Sequence, residues 1–360
     1  MERLLAALGS ASLYAGCPSS LPLDPPAGAG GGDGFGGGAA VACPAEQTLC
    51  GEVCADLDKS IIHCGSCGHD CLGGACAAGK CQPITLASGF NQPDGIAVTA
   101  SGAYVTTYGG GTVERVPLGG GSPVTLIGGE DHPHGIAVDA DHVYWASSGA
   151  LGAVRMLPLA GGIPVTLLSG VETPWEIALD AASVYVTVQG AGTVLRVPID
   201  GGPTTTLIAA QGQPYGVAVD ATYVYFAART TSSVKQVPLA GGNPISLASN
   251  QISPLEVVTD GTSVYWTTGG GTVVRAPIGG GPLAVLVPGH DPLSGIAVDA
   301  SFVYFTVFAE GGKVMKVPKA GGDAVVIAEG QDHPRSLAQD AKAVYWTNYV
   351  DGGAVMKVAK

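Results

Sequence analysis

Short apolar runs alternate with clusters of glycine, proline and aspartate from residue 83 to the end of the chain. Between residues 136 and 168 the runs are IAVD, VYWAS, AVRMLP and PVTLL. Runs of four to six residues rich in Val, Ile, Tyr, Trp and Thr are typical of β-strands. No window beyond the first 17 residues shows a helical period. The pattern predicts an all-β fold with four short strands in this stretch.

The same four-run unit occurs seven times, with a period of about 40 residues. Its first apolar anchor falls at Ile96, Ile136, Ile177, Val217, Val257, Ile296 and Leu337. A fixed period of this size is typical of a solenoid or a propeller. Four strands per unit favour a seven-bladed β-propeller of four-stranded blades.

The repeat is out of phase with the ends of the propeller region. The last copy stops after its third run at 354–359, and the missing fourth run, PITLA, stands before the first copy at 83–87. We expect residues 84–88 to pair with residues around 354–358 and so close the last blade. Closure removes the exposed sheet edges, whereas a linear solenoid would need polar caps.

Each copy carries a tyrosine in a V-Y-W-T-like run, preceded by a P-x-G-I-A-V-D-like run. Over residues 83–360 these motifs resemble the YWTD-type and NHL-type β-propellers. The chain differs from the YWTD pattern because the final Asp of the tetrad is absent and because YWTD propellers usually have six blades. The resemblance implies the propeller fold and only weakly a function.

Nine cysteines occur, and none of them lies in the repeats. Eight crowd into a short glycine-rich segment that is too small for a hydrophobic core. This even number predicts disulfides. The alternative is zinc, because Cys64 and Cys67 have the spacing of zinc ligands. The eight are Cys43, Cys50, Cys54, Cys64, Cys67, Cys71, Cys76 and Cys81.

The ninth cysteine, Cys17, follows an apolar stretch at 4–15. This N-terminus resembles a bacterial lipoprotein signal with Cys17 as the lipidated residue; an ordinary cleaved signal is the alternative. Residues 18–42 are rich in Gly, Pro and Ala and predict a flexible linker. We expect four parts: a signal segment (1–17), a linker (18–42), a disulfide-rich module (43–82) and a propeller (83–360).

The formal net charge is −13, and no basic stripe occurs. This balance argues against nucleic acid and against anionic membrane surfaces as partners. We therefore expect an exported monomer, which is either an outer-membrane or cell-surface lipoprotein or a periplasmic or secreted protein. Any membrane attachment would be through the lipid anchor only.

The position two residues before each anchor varies while the rest of the unit repeats. Because first strands line the channel of a propeller, these positions should meet at one mouth. The loops between second and third strands should open on the same face; we assign to them Thr107, Ser148, Gln189, Arg229, Thr268, Glu310 and Asn348. Mixed side chains around one opening predict a ligand site, although unconstrained loops would look similar. The candidates are Asp94, His134, Trp175, Glu176, Tyr215, Glu256, Arg229 and Arg335.

Histidines near acids on this face are weak candidates for a divalent metal, and solvated loop residues are the alternative. They are His132, His134, His290 and His333. No other cofactor is expected. The sequence lacks a nucleophile elbow, a phosphate loop, an H-E-x-x-H motif and a dinucleotide fingerprint.

Two functions remain open. The first is non-catalytic: the mouth binds a protein or a glycan. The alternative is a metal-dependent enzyme that resembles streptogramin lyases or propeller lactonases, with residues such as His134 and Glu176 in catalytic roles.

Overall fold

A computed structural model of the chain describes residues 42–289 and 291–360. Every regular element in these residues is a β-strand. Cys17, the expected signal segment and His290 lie outside the described residues. No helix in the described part is long and apolar enough to span a membrane.

The cysteine-rich segment forms two small hairpins, Thr48–Cys50 (β1) with Val53–Ala55 (β2), and Cys76–Ala77 (β3) with Lys80–Cys81 (β4). Four disulfides join its eight cysteines, in agreement with the disulfide prediction. The pairs are Cys43–Cys54, Cys50–Cys67, Cys64–Cys76 and Cys71–Cys81.

The remaining 28 strands form seven four-stranded antiparallel blades, as the repeat predicts. Blade 1 contains β6 (Pro93–Thr99), β7 (Gly102–Thr107), β8 (Thr112–Val116) and β9 (Val124–Gly128). Blade 2 contains β10 (Pro133–Val138), β11 (His142–Ser147), β12 (Gly152–Pro158) and β13 (Val165–Val171). Blade 3 contains β14 (Pro174–Leu179), β15 (Ser183–Val188), β16 (Thr193–Pro198) and β17 (Thr205–Ile208). Blade 4 contains β18 (Pro214–Val219), β19 (Tyr223–Ala228), β20 (Ser233–Pro238) and β21 (Ile245–Ala248).

Blade 5 contains β22 (Pro254–Thr259), β23 (Ser263–Thr268), β24 (Val273–Pro277) and β25 (Ala284–Val287). Blade 6 contains β26 (Leu293–Val298), β27 (Phe302–Val307), β28 (Gly312–Pro318) and β29 (Val325–Gln331). Blade 7 contains β30 (Pro334–Gln339), β31 (Ala343–Asn348), β32 (Asp351–Ala359) and, from the other end of the propeller, β5 (Ile84–Asn91).

Strand β5 closes the ring, as the phase of the repeat predicts. Ile84 pairs with Lys357, and Ala87 pairs with Val355, in antiparallel register. The first strand of every blade contacts the first strand of the next, including β30 of blade 7 with β6 of blade 1. The seven first strands therefore surround a central channel.

An aspartate–tyrosine pair fixes the turn between the first and second strands. In blade 2, Asp139 Oδ1 accepts the backbone N–H groups of Asp141 and His142, and Oδ2 accepts the hydroxyl of Tyr144 at 2.7 Å. Blades 3 to 7 repeat this arrangement. In blade 1, Thr99 stands in place of the acid and its Oγ1 accepts the N–H of Ser101, whose hydroxyl contacts that of Tyr104 at 2.8 Å. The recurrent aspartates therefore stabilise turns on the face opposite the mouth.

The core lies between blades and extends into the cysteine-rich segment. The repeated tyrosines are at most 2% exposed, and Trp145, Trp266 and Trp346 are fully buried. Cys64 and Cys71 belong to the same apolar cluster as Trp346. Lys357 donates to the carbonyl of Leu72 at 3.4 Å. The disulfide-bonded segment and blade 7 thus share one core.

Ring closure can be tested at Leu86, which is 2% exposed between blades. Leu86→Ala should lower the free energy of unfolding by about 2–3 kcal/mol, as truncation of a buried leucine does. Leu247→Ala in β21, at the equivalent position of blade 4, should cost a similar amount. Ile163→Ala, at a site that is 86% exposed, should cost almost nothing. Denaturant unfolding would measure all three, and a cost for Leu86→Ala as small as for Ile163→Ala would refute closure by β5.

Candidate functional site

A β-bulge at the start of each first strand directs side chains to the mouth. In blade 1, Pro93 pairs with Thr107 and Ile96 pairs with Val105, so three steps on β6 match two on β7. The same shift occurs in the other six blades. A bulge adds one residue and re-aims its side chain. In each blade the bulge consists of the two residues between the first paired residue and the apolar anchor. The first of these two residues is Asp94, His134, Trp175, Tyr215, Leu255, Ser294 or Arg335.

Threonines of the second strands join neighbouring blades at the mouth. Thr106 Oγ1 accepts the N–H of Gly95 at 2.9 Å and donates to the carbonyl of His134, in the next blade, at 2.6 Å. Four further threonines donate in the same way to the next blade. The acceptors are the carbonyls of Tyr215, Ser294, Arg335 and Asp94. These bonds position the backbone that carries the site residues.

The second residue of each bulge is glycine in four blades for a steric reason. A Cβ at Gly95 would lie 2.5 Å from the carbonyl oxygen of His134, and one at Gly216 would lie 2.5 Å from that of Leu255. Only blades 3, 5 and 7 carry a side chain at this level, and these are Glu176, Glu256 and Ser336. Two carboxylates therefore stand out in an otherwise small-residue ring.

Asp94 is the centre of a buried charged group. His134 Nδ1 lies 2.6 Å from Asp94 Oδ2, and Arg335 Nε donates to Asp94 Oδ1. Asp94 is 5% exposed and His134 is 4% exposed. Burial alone would raise the pKa of Asp94, but the charge of Arg335 and the hydrogen bond from His134 outweigh it and hold that pKa below its usual range. Asp94 is therefore ionised at neutral pH.

An arc of stacked rings continues from this group around the mouth. The ring centroids of His134 and Trp175 are 3.5 Å apart, and those of Trp175 and Tyr215 are 5.2 Å apart. The guanidinium carbon of Arg229 lies 5.7 Å from the centre of the Tyr215 ring. Burial raises the pKa of Tyr215 to about 12, so its hydroxyl stays neutral. All eight predicted ligand residues thus lie at one opening.

Glu176 and Glu256 face the channel just below this arc. Burial and the charge of Glu256 raise the pKa of Glu176 well above its usual value. Burial, together with the charge of Asp94, raises the pKa of Glu256 to about 7 although Arg335 opposes the shift. The two groups line a cavity of about 140 Å³ whose other walls include Ile96, Ile136 and Ile296.

A wider groove opens beside the channel, with a volume of about 500 Å³. Arg229 and Arg335 flank it, and Tyr215, Leu255 and Phe308 supply apolar surface. The Nε of Arg229 donates to Ser253 Oγ at 2.9 Å. The groove and the channel therefore share Arg335 at their junction.

The histidines considered for a metal are not gathered at one point. His132 Nδ1 contacts Asp131, and His333 Nδ1 contacts Asp332, each at 2.7 Å on the exposed rim. His134 is bonded to Asp94 instead. Within residues 42–289 and 291–360, the only three candidate ligand groups with atoms mutually within 4.8 Å are Cys64, Cys71 and Cys81. All three are disulfide-bonded, so these sulfur atoms are not free to bind a metal.

The sequence analysis misplaced several loop residues of the mouth. Thr107, Thr268 and Asn348 end their second strands, where they pair with Pro93, Pro254 and Pro334. Glu310 lies two residues beyond the position equivalent to Arg229. The residues that directly follow the seven second strands form the corrected column of mouth-loop positions: Tyr108, Ser148, Gln189, Arg229, Gly269, Phe308 and Tyr349.

Three aromatic residues of the mouth appear only in this corrected column. Tyr108 stacks on His134 at 4.8 Å, and Arg335 lies over Tyr349 at 4.7 Å. Phe308 contacts His333 at 5.1 Å between ring centroids. Each of them lies twelve residues after the first apolar anchor of its copy, so counting from the anchors would have found them.

No protein-family model matches the sequence, and no curated protein matches it either. Virginiamycin B lyase from Staphylococcus aureus has a similar structure, with a TM-score of 0.65 and 13% identity over 78% of this chain and 98% of the lyase. The catalytically inactive variant of that lyase with quinupristin gives 0.67 and 14% over the same shares. The WD40 propeller domain of Doa1 gives 0.64 and 12%, over 76% of this chain and 95% of that domain. Identities this low show the propeller fold alone.

The opposite pKa shifts at the mouth predict opposite effects of pH on stability. The lowered pKa of Asp94 stabilises the fold above pH 4, and this contribution is lost as pH falls through the folded-state pKa. The raised pKa of Glu256 stabilises the fold below its unfolded value of 4.5, and this contribution is lost as pH rises through about 7.

Asp94→Asn should therefore destabilise the protein at pH 7. Glu256→Gln should gain roughly 1–3 kcal/mol relative to wild type between pH 5 and pH 8. Denaturant unfolding at both pH values measures the two effects. If the difference in unfolding free energy between Glu256→Gln and wild type is the same at pH 5 and at pH 8, the ionised form of Glu256 is not disfavoured by its surroundings.

Proposed function

We propose that this chain is an exported propeller protein that binds a protein segment or a glycan at its channel mouth. The observation that carries the proposal is the continuous chain of side chains Arg335, Asp94, His134, Trp175, Tyr215 and Arg229, which comes from blades 7, 1, 2, 3 and 4.

The fold itself does not require this group. Blades 5 and 6 carry Leu255 and Ser294 at the same positions, and the same strand pairing closes them. A buried ion pair recovers its desolvation cost only in part, so it is weak evidence for a purely stabilising role. A binding role accounts for the cost.

The groove beside the channel suits such ligands. Aromatic faces such as those of Tyr215 and Phe308 can cover the apolar face of a sugar or of a side chain. The guanidinium groups of Arg229 and Arg335 can pair with carboxylates or hydroxyl oxygens. The second candidate, a metal-dependent enzyme, has no gathered ligand set to support it in the described residues.

Export is supported by the four disulfides, because such bonds persist in oxidising compartments. We further propose that Cys17 carries a lipid. In a bacterial host, the chain should incorporate labelled palmitate and fractionate with membranes, and Cys17→Ser should abolish both. Labelling that persists in Cys17→Ser would rule out this residue as the anchor.

Binding at the mouth can be tested with Trp175→Ala, because Trp175 is only partly buried and should contribute to contact more than to folding. Glycan arrays and small-molecule thermal-shift screens should yield ligands that stabilise the wild type. Trp175→Ala should weaken these ligands at least tenfold, and Ile163→Ala on the opposite face should not. Ligands that bind both variants as they bind the wild type would place the site elsewhere.

A further inference from the structure

The channel below the mouth contains two carboxylates that no basic side chain pairs with. Neither Glu176 nor Glu256 forms an ion pair within residues 42–289 and 291–360. The one cation beside them, Arg335, is already bonded to Asp94. Three carboxyl groups therefore share one guanidinium, and burial disfavours the ionised forms of Glu176 and Glu256 unless a further cation lies beside them.

His134 provides a second, independent indication of a ligand. It is 4% exposed, and its Nε2 is buried with no hydrogen-bond partner among the described residues. Because Asp94 is ionised, the 2.6 Å contact places a proton on Nδ1, and in the tautomer with its proton there Nε2 is an acceptor. The imidazole lines the same small cavity as Glu176 and Glu256. An unsatisfied buried polar atom is costly, so a donor is missing here.

The surroundings of these acceptors favour an organic cation. Trp175 and Tyr215 form an aromatic wall above them, and ammonium groups are attracted to aromatic faces. Below them lies a collar of aliphatic side chains that offers no polar partner: Ile96, Ile136, Ile177, Val217, Val257, Ile296 and Leu337. The cavity of about 140 Å³ among these aliphatic residues also touches Glu176 and Glu256 but not His134, and it is far larger than one water needs, so it admits the end of an alkyl chain.

We propose that the ligand of this mouth carries a primary ammonium group, which Glu176 and Glu256 accept inside the channel, with His134 as a further acceptor beside its path. An ammonium has N–H donors and no acceptor, so it suits a site whose unpaired polar groups can all accept. The inference rests on the proposed binding function and specifies its chemistry. A lysine side chain or a free alkylamine would both satisfy it.

Binding of this cation is linked to protons. The groups that face Glu256 are Glu176, Asp94, Arg335, His134 and Tyr215. A cation favours the ionised carboxylate, so binding releases a proton where the pKa of Glu256 is about 7. Affinity should rise roughly tenfold from pH 6 to pH 8, while an alkylamine stays protonated throughout.

The test uses n-pentylamine as the probe, with n-pentanol and pentanoate as neutral and anionic controls. Calorimetry on the full chain in about 0.15 M salt limits non-specific attraction to the acidic surface. Pentylamine should bind at least tenfold more tightly than pentanol. Glu176→Gln combined with Glu256→Gln should remove that difference and leave pentanol unchanged. A matched variant at exposed acids, Glu310→Gln with Asp323→Asn, should behave as wild type.

Pentylamine that binds no better than pentanol would overturn the inference, and so would binding that the double glutamine variant retains. The Trp175→Ala screen judges the proposed function separately, because it does not depend on charge. Thermal unfolding of the double variant checks that it folds, as loss of carboxylate repulsion predicts.

A second arm separates the two sources of the ammonium. A short capped peptide with one lysine should bind, and acetylation of that lysine should abolish binding; retained binding would contradict the inference. A peptide that binds more tightly than pentylamine indicates a protein partner, and equal affinity indicates that the ammonium group alone is recognised.

Discussion

A hydrogen bond from a second-strand threonine to the backbone of the next blade holds five of the seven bulges at the channel mouth. Thr106, Thr187, Thr267, Thr306 and Thr347 each make this bond. Blades 2 and 4 have Ala146 and Ala227 at that position. The bond acts on a carbonyl, so it holds the bulge without restricting which side chain the bulge carries. Because the backbone of the bulge is held independently of its side chain, a regular ring can present seven different residues at the mouth.

The electrostatics of the site follow from that geometry. Bulges in consecutive blades place Arg335, Asp94 and His134 side by side, and this proximity keeps Asp94 ionised. The same geometry leaves Glu176 and Glu256 without a basic partner, and burial then favours their protonated forms. The pKa of Asp94 is thus lowered while those of Glu176 and Glu256 are raised, because only Asp94 is directly bonded to basic side chains.

The fold could be predicted from the sequence because its determinants repeat. The spacing of the apolar anchors and the displaced PITLA run indicated seven blades and closure by residues 84–88, which pair as part of β5. The opening at which Asp94, Trp175 and Glu176 meet was also predictable, since first strands line a propeller channel.

The details of the site were less accessible because they depend on three-dimensional contacts. Tyr108, Phe308 and Tyr349 were missed by one or two positions, although each lies at a fixed spacing of twelve residues from its apolar anchor. The partner of His134 is 40 residues away, and that of Arg335 is 241 residues away. The metal hypothesis for the histidines stays a prediction, because His290 lies outside the described residues. The disulfide pairs also had no basis in spacing, because eight cysteines allow 105 pairings.

Closure by β5 also determines the order in which the molecule can be completed. Strand β5 near the start of the described chain needs β32, which ends at Ala359. Blade 7 therefore stays incomplete until all seven repeats have been synthesised, and its partner strands are separated by more than 250 residues of sequence. Contacts between residues this distant in sequence form late, because the entropy cost of closing the loop must be met before strand pairing can offset it. For a chain that crosses a membrane before folding, this delay keeps the ring open until its last strand has crossed.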